Sequence, residues 1–368
     1  MNMVEDGGPQ LLSDHGSAGP RRDRHWRQLR SIGFTALTIL VIEYLAVPQI
    51  VHATSDLTLF ADASPLLLVL AFILEACSLA AYTALSRAVL LTNNRPGYFA
   101  QLRIDLTGYG VSHVIPGGGA SAAALRFRLM TQRGVPATDA ASSAVVQTAV
   151  TDLSLVATFA AGVILIGPAI ADHPAYAVAG ALAVIALLAG AIMVRRYSRR
   201  PTNRHHPVRR TPGRFAPRTI LGPRVSQWIA RVIRDVAGVS RMTASEAAQL
   251  ARDPRRRLTV FGWAGGNWLF DAASLWVCLR AYHVTIDPGV LLTAYGAANL
   301  IALLPVSPGG LGIVEGVLIP ALGALGDTTA APVALGVLTW RLFQFWLPIP
   351  ISGLTYLSLK LQSVKRSG

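Results

Sequence analysis

The stretch that most constrains this chain is residues 295–326, YGAANLIALLPVSPGGLGIVEGVLIPALGALG. It is apolar almost throughout, yet Pro305, Pro308, Gly309, Gly310 and Gly312 break its centre, and one carboxylate, Glu315, follows the break. Proline removes a helical hydrogen bond and glycine costs about 1 kcal/mol in a helix interior, which argues against one continuous helix. The arm from Pro288 to Leu304 makes about 26 Å of helix and the arm from Leu311 to Leu325 about 22 Å. Neither comfortably crosses a hydrocarbon core about 30 Å thick. The pattern predicts a re-entrant hairpin over 288–326, with its turn at membrane depth. Broken backbone at that depth survives only where protein or water satisfies it, and such breaks mark binding sites in transporters.

The rest of the chain agrees with a bilayer. Hydrophobic residues make up 52% and charged residues only 14%, against about 25% charged in soluble domains. Cys77 and Cys278 both fall in apolar segments without metal-ligand spacing, so packing is the expected role and neither a metal nor a cofactor is implied. No signal peptide is expected at the N-terminus, because the first apolar run is too long for one and lacks a cleavage site. Residues 1–27 read as a disordered, basic tail. Full spans are predicted near 31–51, 65–91, 138–166, 175–194, 258–279 and 331–359, and residues 360–368 form a basic tail.

A second broken segment occupies 104–133, IDLTGYGVSHVIPGGGASAAALRFRLMTQR, with Pro116, Gly117 and Gly118 at its turn. Residues 195–256 are Arg-rich, and 225–250 carry helical apolar spacing: an interfacial amphipathic helix on anionic lipid, or a solvated cytoplasmic hairpin. The net charge of +14 is concentrated in the N-terminal tail, the loop after the second span, this segment and the C-terminal tail. The intervening loops carry no Lys or Arg apart from Arg280, which Asp287 could pair with. The positive charge is therefore a topology signal that places both termini in the cytoplasm, rather than a nucleic-acid footprint.

The two halves, 28–194 and 257–359, look alike. Pro116 and Pro308 are 192 residues apart; the preceding spans begin 192 apart and the following spans 193 apart. The expected fold is all-α and integral to the membrane, with about six full spans plus two re-entrant hairpins in an inverted repeat. Hairpins dipping from opposite faces suit alternating access.

Charges at membrane depth are costly and tend to be functional. Arg126 and Arg128 follow the first turn and either face a phosphate or snorkel to the interface. Asp152 and Arg341 lie mid-span and either pair with each other or bind substrate. Glu315 lies near the N-terminus of the returning arm, where the helix dipole favours an anion. Asn299 joins these as a polar group on the entering arm of the second hairpin. Glu43 and Glu75 read as contacts between helices, and the tryptophans of the spans as packing or interface residues. No nucleophile constellation supports catalysis.

The run Pro305–Gly316, PVSPGGLGIVEG, followed by Arg341 in an apolar span, resembles the lysylphosphatidylglycerol synthase/flippase membrane-region family. The first hairpin, IPGGGASAAALRFRL, is similar to that family's other signature but departs from it: Ala120, Ser121 and Ala122 stand where a Glu follows the turn. No role for a first-hairpin carboxylate carries over at those positions. The resemblance implies a polytopic protein of a bacterial-type inner membrane that moves anionic or aminoacylated phospholipid between leaflets, without the fused members' aminoacyl-transferase domain. Membrane lipids are the expected partners. Translocation of a polyprenyl-phosphate-linked carrier, or service as an accessory subunit to a lipid or glycan transferase, remains open, as does homo-oligomerisation. With no ATP-binding motif, transport would be downhill or ion-coupled.

Overall fold

The computed structural model describes residues 63–92, 94–115, 118–167, 178, 243, 245–250, 252–304, 307–326 and 330–367, without the side chains of 362–367. The predicted spans 31–51 and 175–194, the disordered tail, most of the Arg-rich segment, and Pro116, Gly117 and Pro305 lie outside these residues. Among the described residues every long element is a helix. In order they are α1 (Pro65–Val89), α2 (Tyr98–Val114), α3 (Gly118–Thr131), α4 (Ala137–Ile166), α5 (Pro254–Ala281), α6 (Pro288–Ala302), α7 (Ile313–Gly326), α8 (Ala330–Arg341) and α9 (Pro348–Ser367). A 3-10 turn, Pro308–Gly310, lies before α7, and a π turn, Leu342–Trp346, separates α8 from α9.

Local chemistry sets several of these ends. Prolines open α1, α5 and α6 at the first turn, where a missing N–H costs nothing. Asp253 caps α5 by accepting from the N–H groups of Arg255 and Arg256, and Asp287 caps α6 by accepting from Gly289 and Val290. Asp287 is therefore committed to a cap, and Arg280 instead stacks on Trp276, 4.9 Å from the ring centroid.

One predicted boundary shifts, and the last predicted span holds an internal π turn. The first hairpin begins at Tyr98 rather than 104, since Gly97 and not Arg103 ends the preceding loop. The last span is not one rod: Pro348 has no N–H to bond the Gln344 carbonyl, and the helix relaxes into a π turn just before it. Among the described residues, four stretches are long and apolar enough to cross a membrane: Pro65–Val89, Ala137–Ile166, Pro308–Gly326 and Ala330–Leu361. The expected fifth span lies within α5, which is long enough but carries Arg255–Arg257, Asp271 and Arg280.

The packing is reciprocal. Helix α1 lies along α5; α4 packs on α6 while α9 packs on α2; α2 and α3 pair with each other as α6 and α7 do. The starts of α1 and α5, α2 and α6, α3 and α7, and α4 and α8 are separated by 189, 190, 195 and 193 residues. Helices α4 and α6 cross at close range, where a side chain on Gly162 would strike the Thr293 backbone and one on Gly296 would strike Phe159. The largest buried cluster gathers Tyr295, Leu318, Leu322, Val337 and Trp340 around the inner face of α5. Leu66, Val69, Ile73, Ile164 and Leu165 point outward, as surfaces bathed in lipid require.

Candidate functional site

The second Pro-Gly break is a turn that only glycine fits easily. Gly309, Gly310 and Gly312 take φ of 54°, 71° and 80°, a region most residues avoid. A Cβ on Gly309 would also lie 2.5 Å from Phe345 and 2.8 Å from His113. The Gly312 N–H donates to Glu315 Oε2 at 2.7 Å, so the acid caps its own helix start. Its other oxygen accepts from Arg341 Nε at 2.5 Å, and both side chains are almost wholly buried. Arg341 Nη1 donates to Gln344 Oε1 at 2.8 Å and Nη2 reaches the Gly309 carbonyl at 3.4 Å.

From Gln344 the network enters the first hairpin. Gln344 Nε2 donates to Tyr109 Oη at 2.9 Å, and Tyr109 Oη donates to the Gln344 carbonyl at 3.0 Å. That carbonyl is the one Pro348 leaves without a helical partner. His113 lies between the Tyr109 and Phe345 rings, with centroids 4.1 and 4.7 Å away. The end of α2 thus abuts the second turn.

The first hairpin holds its own buried cation. Arg126 Nη2 pairs with Asp105 Oδ1 at 2.7 Å, joining α3 to α2. Nη2 also donates to Ser86 Oγ (3.2 Å) and Gln147 Oε1 (3.0 Å), and Nη1 to Tyr82 Oη (3.0 Å), while Gln101 Nε2 donates to Asp105 at 3.0 Å. Gly108 makes the room: a Cβ there would come within 2.5 Å of Arg126 Cγ. The Arg126 side chain is nevertheless 16% exposed, against 2% for Arg341.

The remaining predicted residues separate from this core. Arg128 is exposed on the outer side of α3. Asn299 donates to the Tyr295 carbonyl of its own helix at 3.0 Å. Asp152 is half-buried near Tyr82 and has no hydrogen-bond or ion-pair partner among the described residues. The contemplated Asp152–Arg341 pair is replaced by Glu315–Arg341, because α8 packs against α7 and brings Arg341 to the turn. Gly118 opens α3, and Pro308 starts the 3-10 turn.

Several partners escaped the sequence reading. Asp271 accepts from Tyr295 Oη and from Trp340 Nε1, both at 2.6 Å. Tyr109, Gln344, Gln147 and Ser86 gave no signal beyond being polar in apolar segments. Asp105 and Asp271 are charges within apolar segments, but nothing in the sequence names their partners. A groove of about 530 Å³ runs along α1 and α5, lined by Cys77, Ala84, Trp263 and Phe270, with Arg87 and Arg95 at one end. Arg87 Nε is buried without a hydrogen-bond partner among the described residues. Those residues also hold no cluster suited to a metal ion.

The sequence model of the lysylphosphatidylglycerol synthase transmembrane region matches residues 32–352. The chain belongs to that family. As a member of the lysylphosphatidylglycerol synthase transmembrane-region family, with several apolar helices, it is a multi-pass membrane protein. A UPF0104 membrane protein from Methanothermobacter thermautotrophicus is 37% identical over 73 residues, 19% of this chain. The match spans 21% of that relative's own length.

Proposed function

We propose that the chain is a lipid translocase that carries an anionic or aminoacylated phospholipid between leaflets of a bacterial-type inner membrane. Its two halves would form an inverted repeat with re-entrant hairpins, its termini would lie in the cytoplasm, and it would act without chemistry on the lipid. The carrying observation is Arg126: a guanidinium among apolar helices, locked by Asp105, Tyr82, Ser86 and Gln147, yet still partly exposed. A cation fixed that firmly has lost its orientational freedom before any guest arrives, which favours bidentate capture of a phosphate. Family membership and the reciprocal packing of the halves support the same reading.

In this mechanism the α1–α5 groove admits a lipid with its chains against Trp263 and Phe270 and its headgroup at Arg87 and Arg95. The phosphate then exchanges onto Arg126, with Asp105 and the surrounding hydroxyls keeping the site neutral when empty. Arg341 and Glu315 serve the second hairpin, and unpartnered Asp152 offers a carboxylate to an aminoacyl ammonium. Arg128, at the interface, and Asn299, beside the second turn, are secondary contacts. Homo-oligomers or an associated lipid-modifying transferase are compatible with this scheme.

Leaflet-resolved exchange in proteoliposomes tests it. Phosphatidylglycerol or its aminoacyl ester should move in wild type and slow at least about tenfold in Arg126→Gln, the scale of losing one charge-assisted contact. Movement of a polyprenyl phosphate alone would select the carrier reading. No movement of any anionic lipid, together with a co-purifying transferase, would replace the proposal with the accessory-subunit reading.

A further inference from the structure

The interface of α1 and α5 holds two carboxyl groups that headgroup binding does not use. Glu75 is 3% exposed and Asp271 6%. Both Asp271 oxygens are occupied, by the Tyr295 hydroxyl and the Trp340 indole N–H. Glu75 faces Asp271 within hydrogen-bonding reach, and its Oε2 is buried with no partner among the described residues. Two ionised carboxylates at that separation in a dry interior would repel strongly, so the pair retains a proton. The hydrogen bonds decide where: among the described residues Asp271 has two donors stabilising its charge, and Glu75 Oε2 has none. An acid with no donor of its own, pointed at an acceptor, is the one that carries the hydrogen.

We infer that Glu75 is a proton-binding site, sharing one proton with Asp271 across the seam between the two halves. Asp271 lies beside it on α5, and Cys278 from α5, Tyr295 from α6 and Tyr109 from α2 lie within its electrostatic reach. From α4, Asp152 acts instead on Tyr82, about two turns further along α1. Arg341 acts on Asp271 from the end of α8 and is itself matched by Glu315. Sliding α1 against α5 would separate the acids, ionise Glu75 and release the proton. A proton would then bind one arrangement of the halves better than the other, as coupling requires. The coupling to lipid rests on the translocase reading; the proton site does not.

Infrared difference spectroscopy on the full chain in nanodiscs reads the site directly. Wild type should show a protonated-carboxyl C=O band near neutral pH that disappears in Glu75→Gln and shifts in Asp271→Asn. Glu75→Asp, which keeps the acid on a shorter stem, should retain a shifted band and serves if the glutamine variant fails to fold. A wild-type band surviving in Glu75→Gln, or no band in wild type, overturns the proposal. Leaflet exchange measured in an Glu246→Gln background should depend on pH, and adding Glu75→Gln should flatten that dependence. An unchanged pH profile in the double variant sinks the coupling. Loss of the band without any lipid exchange in wild type leaves the proton site standing and removes the translocase reading.

Discussion

The two hairpins each bury an arginine against a carboxylate, but they use it differently. In the first, Arg126 and Asp105 tie the hairpin's own arms together, and the further partners are side chains of α1 and α4. In the second, Glu315 and Arg341 join the returning arm to the next helix, and both also bond the backbone of the turn. The first cation is partly exposed and bonds only side chains among the described residues; the second is dry and is built into the turn. A guest can replace side-chain partners without unfolding anything, whereas replacing Glu315 would release Gly309–Gly312. On the proposed translocase reading, exchange would fall to the first hairpin and scaffolding, with a smaller share of binding, to the second.

The sharpest way to break this comparison is to remove one member of the drier pair. Glu315→Ala should destabilise the protein by about 3–5 kcal/mol, because Arg341 is left charged and unpaired in the interior. Thermal unfolding in detergent should show it, and adding Arg341→Met should recover part of the loss. Arg126→Ala should cost less, about 2–3 kcal/mol, since partial exposure lets water reach Asp105. Its larger effect should be on lipid exchange. If Arg126→Ala proved the more destabilising and Glu315→Ala the more damaging to exchange at full stability, the roles would be reversed.

The turn itself comes next. Gly309→Ala forces a side chain into a left-handed conformation and against Phe345 and His113. A loss of about 1–3 kcal/mol is expected from the strain. Because Gly309 also joins the two hairpins, exchange should fall along with melting temperature. Falling stability with unimpaired exchange would show that the contact between the hairpins is incidental.

The legibility of these features in the sequence follows from their physics. A Pro-Gly-Gly break in an apolar run announces itself, because few residues tolerate positive φ and none but proline lacks the N–H. Helix starts at Pro65, Pro254 and Pro288 are legible for the same reason. Charges at depth, such as Asp105, Arg126, Glu315 and Arg341, stand out because burying them is costly. Their pairing is not legible: whether Arg341 meets Asp152 or Glu315 depends on which helix faces α8, a long-range matter. Trp340 and Tyr295 are hidden more deeply, since an aromatic in a span reads as packing until its polar atom is seen on Asp271. The π turn was missed because the consequence of Pro348 falls upstream, at Gln344 and Arg341.

A smaller effect concerns the segment before α5, away from both hairpins. Burial raises Glu246 to about 7, with the Ser142 hydroxyl and Arg256 opposing the rise and Asp139 adding to it. An unfolded glutamate titrates near about 4.3. Between those values the native state holds a proton that the unfolded chain has lost, so stability falls as pH rises and levels off above about 7. Wild type should lose about 1–2 kcal/mol between about pH 5 and about pH 8, and Glu246→Gln should lack that slope. A slope of the opposite sign would mean that Glu246 is paired with a cation in solution.

The smallest expected effect separates Arg126 from its neighbour Arg128. The two lie on the same helix, yet Arg126 turns inward to Asp105 and Arg128 is exposed. Arg128→Gln should therefore leave stability within about 0.5 kcal/mol of wild type. Exchange of anionic lipid should decline only modestly and only at low salt, where an interfacial charge attracts headgroups over a longer distance. Comparing Arg126→Gln and Arg128→Gln in the same vesicles, at low and high salt, isolates the geometry of the inner site from the charge of the helix. If both variants lost exchange equally and salt rescued neither, the buried Asp105–Arg126 pair would hold no special place, and the first hairpin would bind lipid through its surface.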